Sequence, residues 1–233
     1  MSIIAANLQA VEATIGAAVQ AAGRARTDVQ LLAVSKTFPA EAVLEAMAAG
    51  QAAFGENYLQ EALEKIDHVA RAQPESKVEW HFIGPIQSNK TRPIAASFDW
   101  VHTVERLKIA QRLSEQRPPE LGPLNICLQV NISGEASKSG ASEAELPELA
   151  RAVAQLPNLR LRGLMAIPER ATDGEQQRAA FARLRKLRDA LRADGLALDT
   201  LSMGMSGDMD AAIAEGATIV RIGSAIFGAR HYD

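Results

Sequence analysis

Cysteine is nearly absent: Cys127 stands alone in 233 residues, which excludes an intrachain disulfide framework and a cysteine-built metal cluster. It lies in the apolar run Ile126-Cys127-Leu128, where a free thiol reads as a small buried core residue. Several signature motifs are missing too. There is no Walker sequence, no GxGxxG behind a strand, no HExxH and no GxSxG, which disfavours a nucleotide-phosphate loop, a zinc protease and a serine hydrolase. The four histidines, His68, His81, His102 and His231, have no mutual spacing that builds a metal site, and no carboxylate cluster compensates. No run approaches the roughly 20 apolar residues of a membrane span. Met1 to Arg24 lack the basic start and long apolar stretch of a secretory signal, so a cytoplasmic protein with no membrane partner is expected. A strong charge of one sign is also lacking. The net charge of -3 and pI near 5.9 supply no basic field for a phosphate backbone, so nucleic acid is not an expected partner.

What is present is ordinary globular material, 47% hydrophobic and 23% charged, in a length that one core can serve. A first amphipathic helix carries Leu8, Val11, Ile15 and Val19 on one face. Eight short β-rich runs follow: 30–35, 52–55, 79–84, 99–103, 124–130, 161–166, 199–204 and 218–222. Helical patterns fill the gaps at 40–49, 58–70, 89–96, 104–115, 143–156 and 175–193. The last of these repeats Phe181, Leu184, Leu187 and Leu191 on one face, and its arginines read as a solvated opposite face. Eight βα repeats without a large insertion predict a single-domain α/β protein spanning 1–233, a (β/α)8 TIM barrel with an extra N-terminal helix. The eighth helix is short, and the N-terminal helix could cover the gap it leaves.

In such a barrel the chemistry sits at the carboxyl ends of the strands. The first strand, Leu31-Leu32-Ala33-Val34-Ser35, delivers Lys36 there; a partly desolvated lysine is a competent amine for a Schiff base, although position alone favours an ordinary strand-end lysine. Ser202-Met203-Gly204-Met205-Ser206 and Arg221-Ile222-Gly223-Ser224 close strands seven and eight, the usual phosphate position of this fold. Ser206 and Ser224 are either phosphate contacts or plain helix caps. Asp208 and Asp210 fall in the next helical turn and read as structural. His81 alternates with bulky aromatics and reads as a satisfied core histidine, with the barrel interior as the other direction open to it. The loop 131–142 is rich in Ser, Gly and Lys, and its Lys138 is an exposed loop lysine or one that reaches a ligand.

Six ordered blocks carry a family resemblance: Val34-Ser35-Lys36-Thr37, Phe54-Gly55-Glu56-Asn57-Tyr58, Trp80-His81-Phe82-Ile83-Gly84, Gln87-Ser88-Asn89-Lys90, Ser202 to Ser206, and Arg221 to Gly228. Through them the chain resembles the pyridoxal phosphate homeostasis proteins (YggS/PROSC type), related in fold to the N-terminal barrel of alanine racemase. The resemblance implies pyridoxal 5'-phosphate, a vitamin B6 cofactor, held as a Schiff base on Lys36. It also implies phosphate contacts from Ser206, Gly223 and Ser224, with Ser202 and Asn57 nearby and Arg221 facing the pyridine nitrogen. Ser224 stands where threonine is common, which keeps the hydroxyl. A guanidinium at the ring nitrogen leaves it unprotonated and weakens the ring as an electron sink, and the second domain that completes a racemase has no room after Phe227. The expected role is accordingly a monomeric, non-enzymatic protein of intracellular pyridoxal phosphate homeostasis that delivers the cofactor to apo-enzymes. A single-domain amino-acid racemase is the alternative.

Overall fold

A computed structural model describes residues 2–133, 139–169 and 173–229. Eight parallel strands close in sequence order into a barrel: β1 (Gln30–Val34), β2 (Ala53–Glu56), β3 (Glu79–Phe82), β4 (Trp100–Val104), β5 (Leu124–Gln129), β6 (Leu159–Met165), β7 (Thr200–Ser202) and β8 (Ile219–Ile222). Around them run α1 (Ile3–Ala21), α2 (Ala40–Ala48), α3 (Leu59–Ala72), α4 (Thr91–Ser97), α5 (Leu107–Gln116), α6 (Leu146–Ala154), α7 (Gly174–Ala193), α8 (Met209–Ala214) and α9 (Ser224–Phe227). The predicted elements are all there, with shifted ends. The fifth helix begins at Leu107 and not at 104, because Val104 is still in β4. Strand seven stops at Ser202, since Gly204 turns the chain at φ +96°, a conformation that glycine adopts without strain.

The side-chain period of two sorts each strand into an inward and an outward face. Outward residues such as Leu31, Ala33, Phe54, Phe82, Val101, Ile126 and Val220 pack under the helices. Inward residues form a separate smaller cluster, Leu32, Val34, Ala53, Ile83, Trp100, Cys127, Met165 and Ile219. The inner column is therefore only partly apolar. His81, His102, Ser202 and Arg221 are also part of it, each at most 5% exposed.

The outer ring is thin after β8, where α9 has a single turn. There α1 supplies the missing cover. Leu8, Val11, Ile15 and Val19 are buried, the Asn7 amide donates to the Ile226 carbonyl at 2.9 Å, and the Arg24 guanidinium donates to the Ile213 carbonyl at 2.8 Å. On α7 the predicted solvated arginines are partly engaged: Arg178 and Arg185 both pair with Glu215, at 2.9 and 3.1 Å.

Candidate functional site

Closure in sequence order makes β7, β8, β1 and β2 consecutive neighbours, tied by registers such as Leu32 to Arg221 and Val34 to Gly55. Their carboxyl ends bring together the residues singled out above. Lys36 follows β1 and is half-buried. Asn57 follows β2, also half-buried, and its Oδ1 is buried without a hydrogen-bond partner. Gly223 is buried at the cap of α9, while Ser224 beside it and Ser206 in the turn after β7 are exposed. Asp208 shapes that turn by accepting from the Met205 amide at 2.6 Å, the structural role expected of it. Lys138 and His231 lie outside the described residues.

Lys36 sits in a turn pinned on both sides by charged groups. The Lys65 ammonium, on α3, donates to the Ser35 carbonyl at 2.8 Å, to Glu56 Oε1 at 2.7 Å and to Glu61 Oε1 at 2.7 Å. Ser35 donates its hydroxyl to Glu56 at 2.6 Å, and the Thr37 amide donates to Glu61 at 2.6 Å. Thr37 adopts φ +68°, costly for a β-branched residue, so the surrounding bonds must hold it there. Burial pushes the Glu56 carboxyl above its usual range, against the opposing pull of Lys65 and Ser35. Gly84 serves the same end of the barrel: a Cβ there would lie 2.1 Å from the Asn57 carbonyl oxygen, so only glycine lets β3 approach the chain leaving β2.

Arg221 points into the barrel and donates to Ser202 Oγ at 2.8 Å and to the Ala166 carbonyl at 3.0 Å. Burial lowers its pKa to about 10, which leaves it protonated at neutral pH. Ser202 is fully buried with its hydroxyl between Arg221 and His102, whose Nδ1 is 2.7 Å away. It is thus grouped with Arg221 rather than with the exposed Ser206 and Ser224. His81, expected as a satisfied core histidine, is one: its Nδ1 lies 2.8 Å from His102 Nε2 and its Nε2 lies 2.8 Å from Glu79 Oε1. A cavity of about 230 Å³ adjoins the mouth, lined in part by Asn57, Ile83, Thr103, Glu105 and Gln129.

The sequence reading missed Glu56, Glu61, Lys65 and His102. Glu56 stood inside a quoted block without a role. His102 was considered only as a metal ligand, yet it lies two residues beyond Trp100, on the same inward face, and one βα unit beyond His81. Among the described residues no group of three or more metal-ligating side chains occurs, and no helix is long and apolar enough to cross a membrane.

The donor set suits an aromatic aldehyde bearing a phosphate: an amine at Lys36, a buried cation at Arg221, hydroxyls at Ser206 and Ser224, and unpartnered buried oxygens at Asn57 Oδ1 and Thr37 Oγ1. Comparison with known proteins points to the same ligand class. The family model of the alanine racemase N-terminal domain matches residues 6–231. The pyridoxal phosphate homeostasis protein of Pseudomonas aeruginosa is 66% identical over 232 residues, covering 100% of this chain and 98% of that protein. PipY of Synechococcus elongatus, solved with pyridoxal phosphate bound, is 36% identical with a TM-score of 0.83, covering 97% of this chain and 100% of that one. The alanine racemase of Corynebacterium glutamicum shares the fold at 20% identity and a TM-score of 0.69; the match covers 96% of this chain and 59% of the racemase.

Proposed function

This chain belongs to the pyridoxal phosphate homeostasis protein family, built on the alanine racemase N-terminal fold, and from that membership we propose that it holds pyridoxal 5'-phosphate on Lys36 and hands it to apo-enzymes. The observation that carries the reading is the convergence of Lys36, Arg221 and the Ser206 and Ser224 turns at adjoining strand ends. When bound, the cofactor supplies an aldehyde that condenses with a lysine amine. The chain's own residues do the rest. The cluster of buried Glu56 and Lys65 with half-buried Glu61 orients the turn bearing Lys36. Ser206, Gly223 and Ser224 offer hydroxyl and backbone donors to the phosphate, Asn57 flanks the ring, and Ser202 supports Arg221 from behind.

Arg221 also favours holding over turnover. A protonated guanidinium donates and cannot accept, so a ring nitrogen facing it stays unprotonated and stabilises a carbanion poorly. The test is direct. Purified protein incubated with pyridoxal phosphate should gain a visible absorbance band that Lys36→Ala loses, and loaded protein should reactivate an apo-enzyme. No band in the wild type would refute the binding role; exchange of the Cα hydrogen of free amino acids would replace the carrier role with a racemase.

A further inference from the structure

The barrel interior of this fold is ordinarily packed with branched aliphatic side chains. Here two histidines, a serine and an arginine occupy part of it, all at most 5% exposed. Their contacts form one line: Glu79 to His81 at 2.8 Å, His81 to His102 at 2.8 Å, His102 to Ser202 at 2.7 Å, and Ser202 to Arg221 at 2.8 Å. The line begins at the face opposite the site, where Glu79 opens on a cavity of about 370 Å³ lined also by Lys77, Asp99, Arg117 and Asn125. It ends at the guanidinium beneath the strand ends that carry the proposed site.

Its protons can be placed from either end. Glu79, with its carboxyl lowered to about 2 chiefly by the bond to His81, is an anion and can only accept, so His81 carries its proton on Nε2. Burial pulls both histidines below their usual range, His102 furthest, so both rings are neutral. His81 Nδ1 is then an acceptor, which puts the proton of His102 on Nε2 and makes its Nδ1 an acceptor. From the other end, Arg221 can only donate, so the Ser202 oxygen accepts from it and the Ser202 hydroxyl donates to His102 Nδ1. The two assignments meet without conflict. The opposite orientation would leave the Ser202 hydroxyl proton facing Arg221 or His102 N–H with no acceptor in the line, a penalty in a site this buried.

We propose that Glu79, His81, His102 and Ser202 are positioning residues: an oriented hydrogen-bond chain through the barrel that holds the Arg221 guanidinium in place and brings it the counter-charge of Glu79. The inference deepens the reading of Arg221 as the group beside the cofactor ring and rests on it. Other charged groups act on the line at its ends: Asp99 near His81, and Asp208 near Arg221. Trp100 stacks on His81 at 5.4 Å and shields the middle. Aligned bonds in a medium of low polarity reinforce one another, so the carboxylate is felt further than through water.

Two readouts test this. In unloaded protein at about pH 8, ring ¹⁵N shifts should show His81 and His102 neutral and both protonated on Nε2. The side chain of Glu79 is 40% exposed at the barrel rim, so Glu79→Leu should fold while leaving the His81 Nε2–H without its acceptor, which shifts the His81 ring signals, whereas His102 stays protonated on Nε2 under the hold of Ser202; Glu79→Gln, which keeps an acceptor, should restore the His81 signals. In loaded protein, losing the carboxylate leaves the Arg221 charge without that counter-charge, so the pH midpoint of the cofactor band should fall by on the order of half a pH unit in both variants. A purely structural role would leave that midpoint unmoved in Glu79→Gln. Wild-type His102 protonated on Nδ1, or a midpoint unchanged in Glu79→Leu, would overturn the chain. A wild type with no cofactor band would overturn the reading of Arg221 instead, and the ring nitrogens of the unloaded protein would still decide the orientation.

Discussion

Replacing Lys65 by Met tests whether the turn bearing Lys36 rests on buried charge. The ammonium is 3% exposed and its partner Glu56 is fully buried, with Glu56 Oε2 already lacking a partner. Removing one member of such a pair strands the other charge, at a cost of about 3–5 kcal/mol. Glu56 can escape by taking a proton, and that sets a ceiling. From an ordinary glutamate pKa of about 4.3, protonation costs about 3.7 kcal/mol at pH 7 and about 1 kcal/mol at pH 5. Burial already raises the Glu56 pKa, so the folded state binds this proton more readily than the unfolded chain, and stability falls as pH rises through that window. Urea unfolding followed by circular dichroism should therefore show Lys65→Met destabilised strongly at pH 7 and only slightly at pH 5. The double variant Glu56→Gln, Lys65→Met should recover most of the loss at pH 7. A loss independent of pH, or a double variant no more stable than the single one, would refute the argument.

Four further outcomes follow from the same geometry. The Cys127 thiol, pushed up to about 12 by burial, should not react with a thiol reagent at pH 8 until the protein unfolds, as timed by reagent uptake in rising denaturant. Gly84→Ala drives a Cβ against the Asn57 carbonyl, so it should cost about 1–3 kcal/mol and weaken cofactor uptake, measured by unfolding and absorbance titration. Ile15→Ala, on the face of α1 that covers the thin part of the outer ring, should lower stability by about 2–5 kcal/mol, read from the urea midpoint. Glu79, with its folded pKa depressed to about 2, contributes stability above the ordinary carboxylate pKa that is lost as pH falls through about 2; the gap in unfolding midpoint between wild type and Glu79→Gln should accordingly narrow from pH 5 to pH 2.

Much of the barrel is legible in the sequence because it depends on local period. Strand β1 reads as apolar residues ending at Lys36, and α7 as a stripe of Phe181, Leu184 and Leu191, and both are found so. Element ends are less legible, since they depend on tertiary partners: Val104 looks like the start of a helix until its pairing with Leu128 keeps it in β4. Of the residues at strand ends, Lys36, Ser206 and Ser224 could be found by position, and Asn57 only through the family resemblance. Lys65 could not, because a lysine on an amphipathic helix reads as solvated until β1 and β2 are seen to place Ser35 and Glu56 against it. The pairing of His81 with His102 was hidden for a different reason. Barrel closure brings together inward residues one βα unit apart, a relation that a search for metal-ligand spacing does not sample.

Seven of the fourteen buried polar or charged side chains among the described residues fall into two groups. Four of them, His81, His102, Ser202 and Arg221, form one line, and Ser35, Glu56 and Lys65 form a second cluster at the base of the Lys36 turn. Burying such groups is unfavourable even when each is bonded, and an apolar replacement of similar volume is often as stable. A fold that needed only stability would fill these positions as it fills Leu32, Val34 and Met165. Departures from local packing rules concentrate where function needs them, and both departures here end at the same strand termini, one at Lys36 and one at Arg221. That coincidence argues that the two side chains are held to close tolerances from below by separate networks.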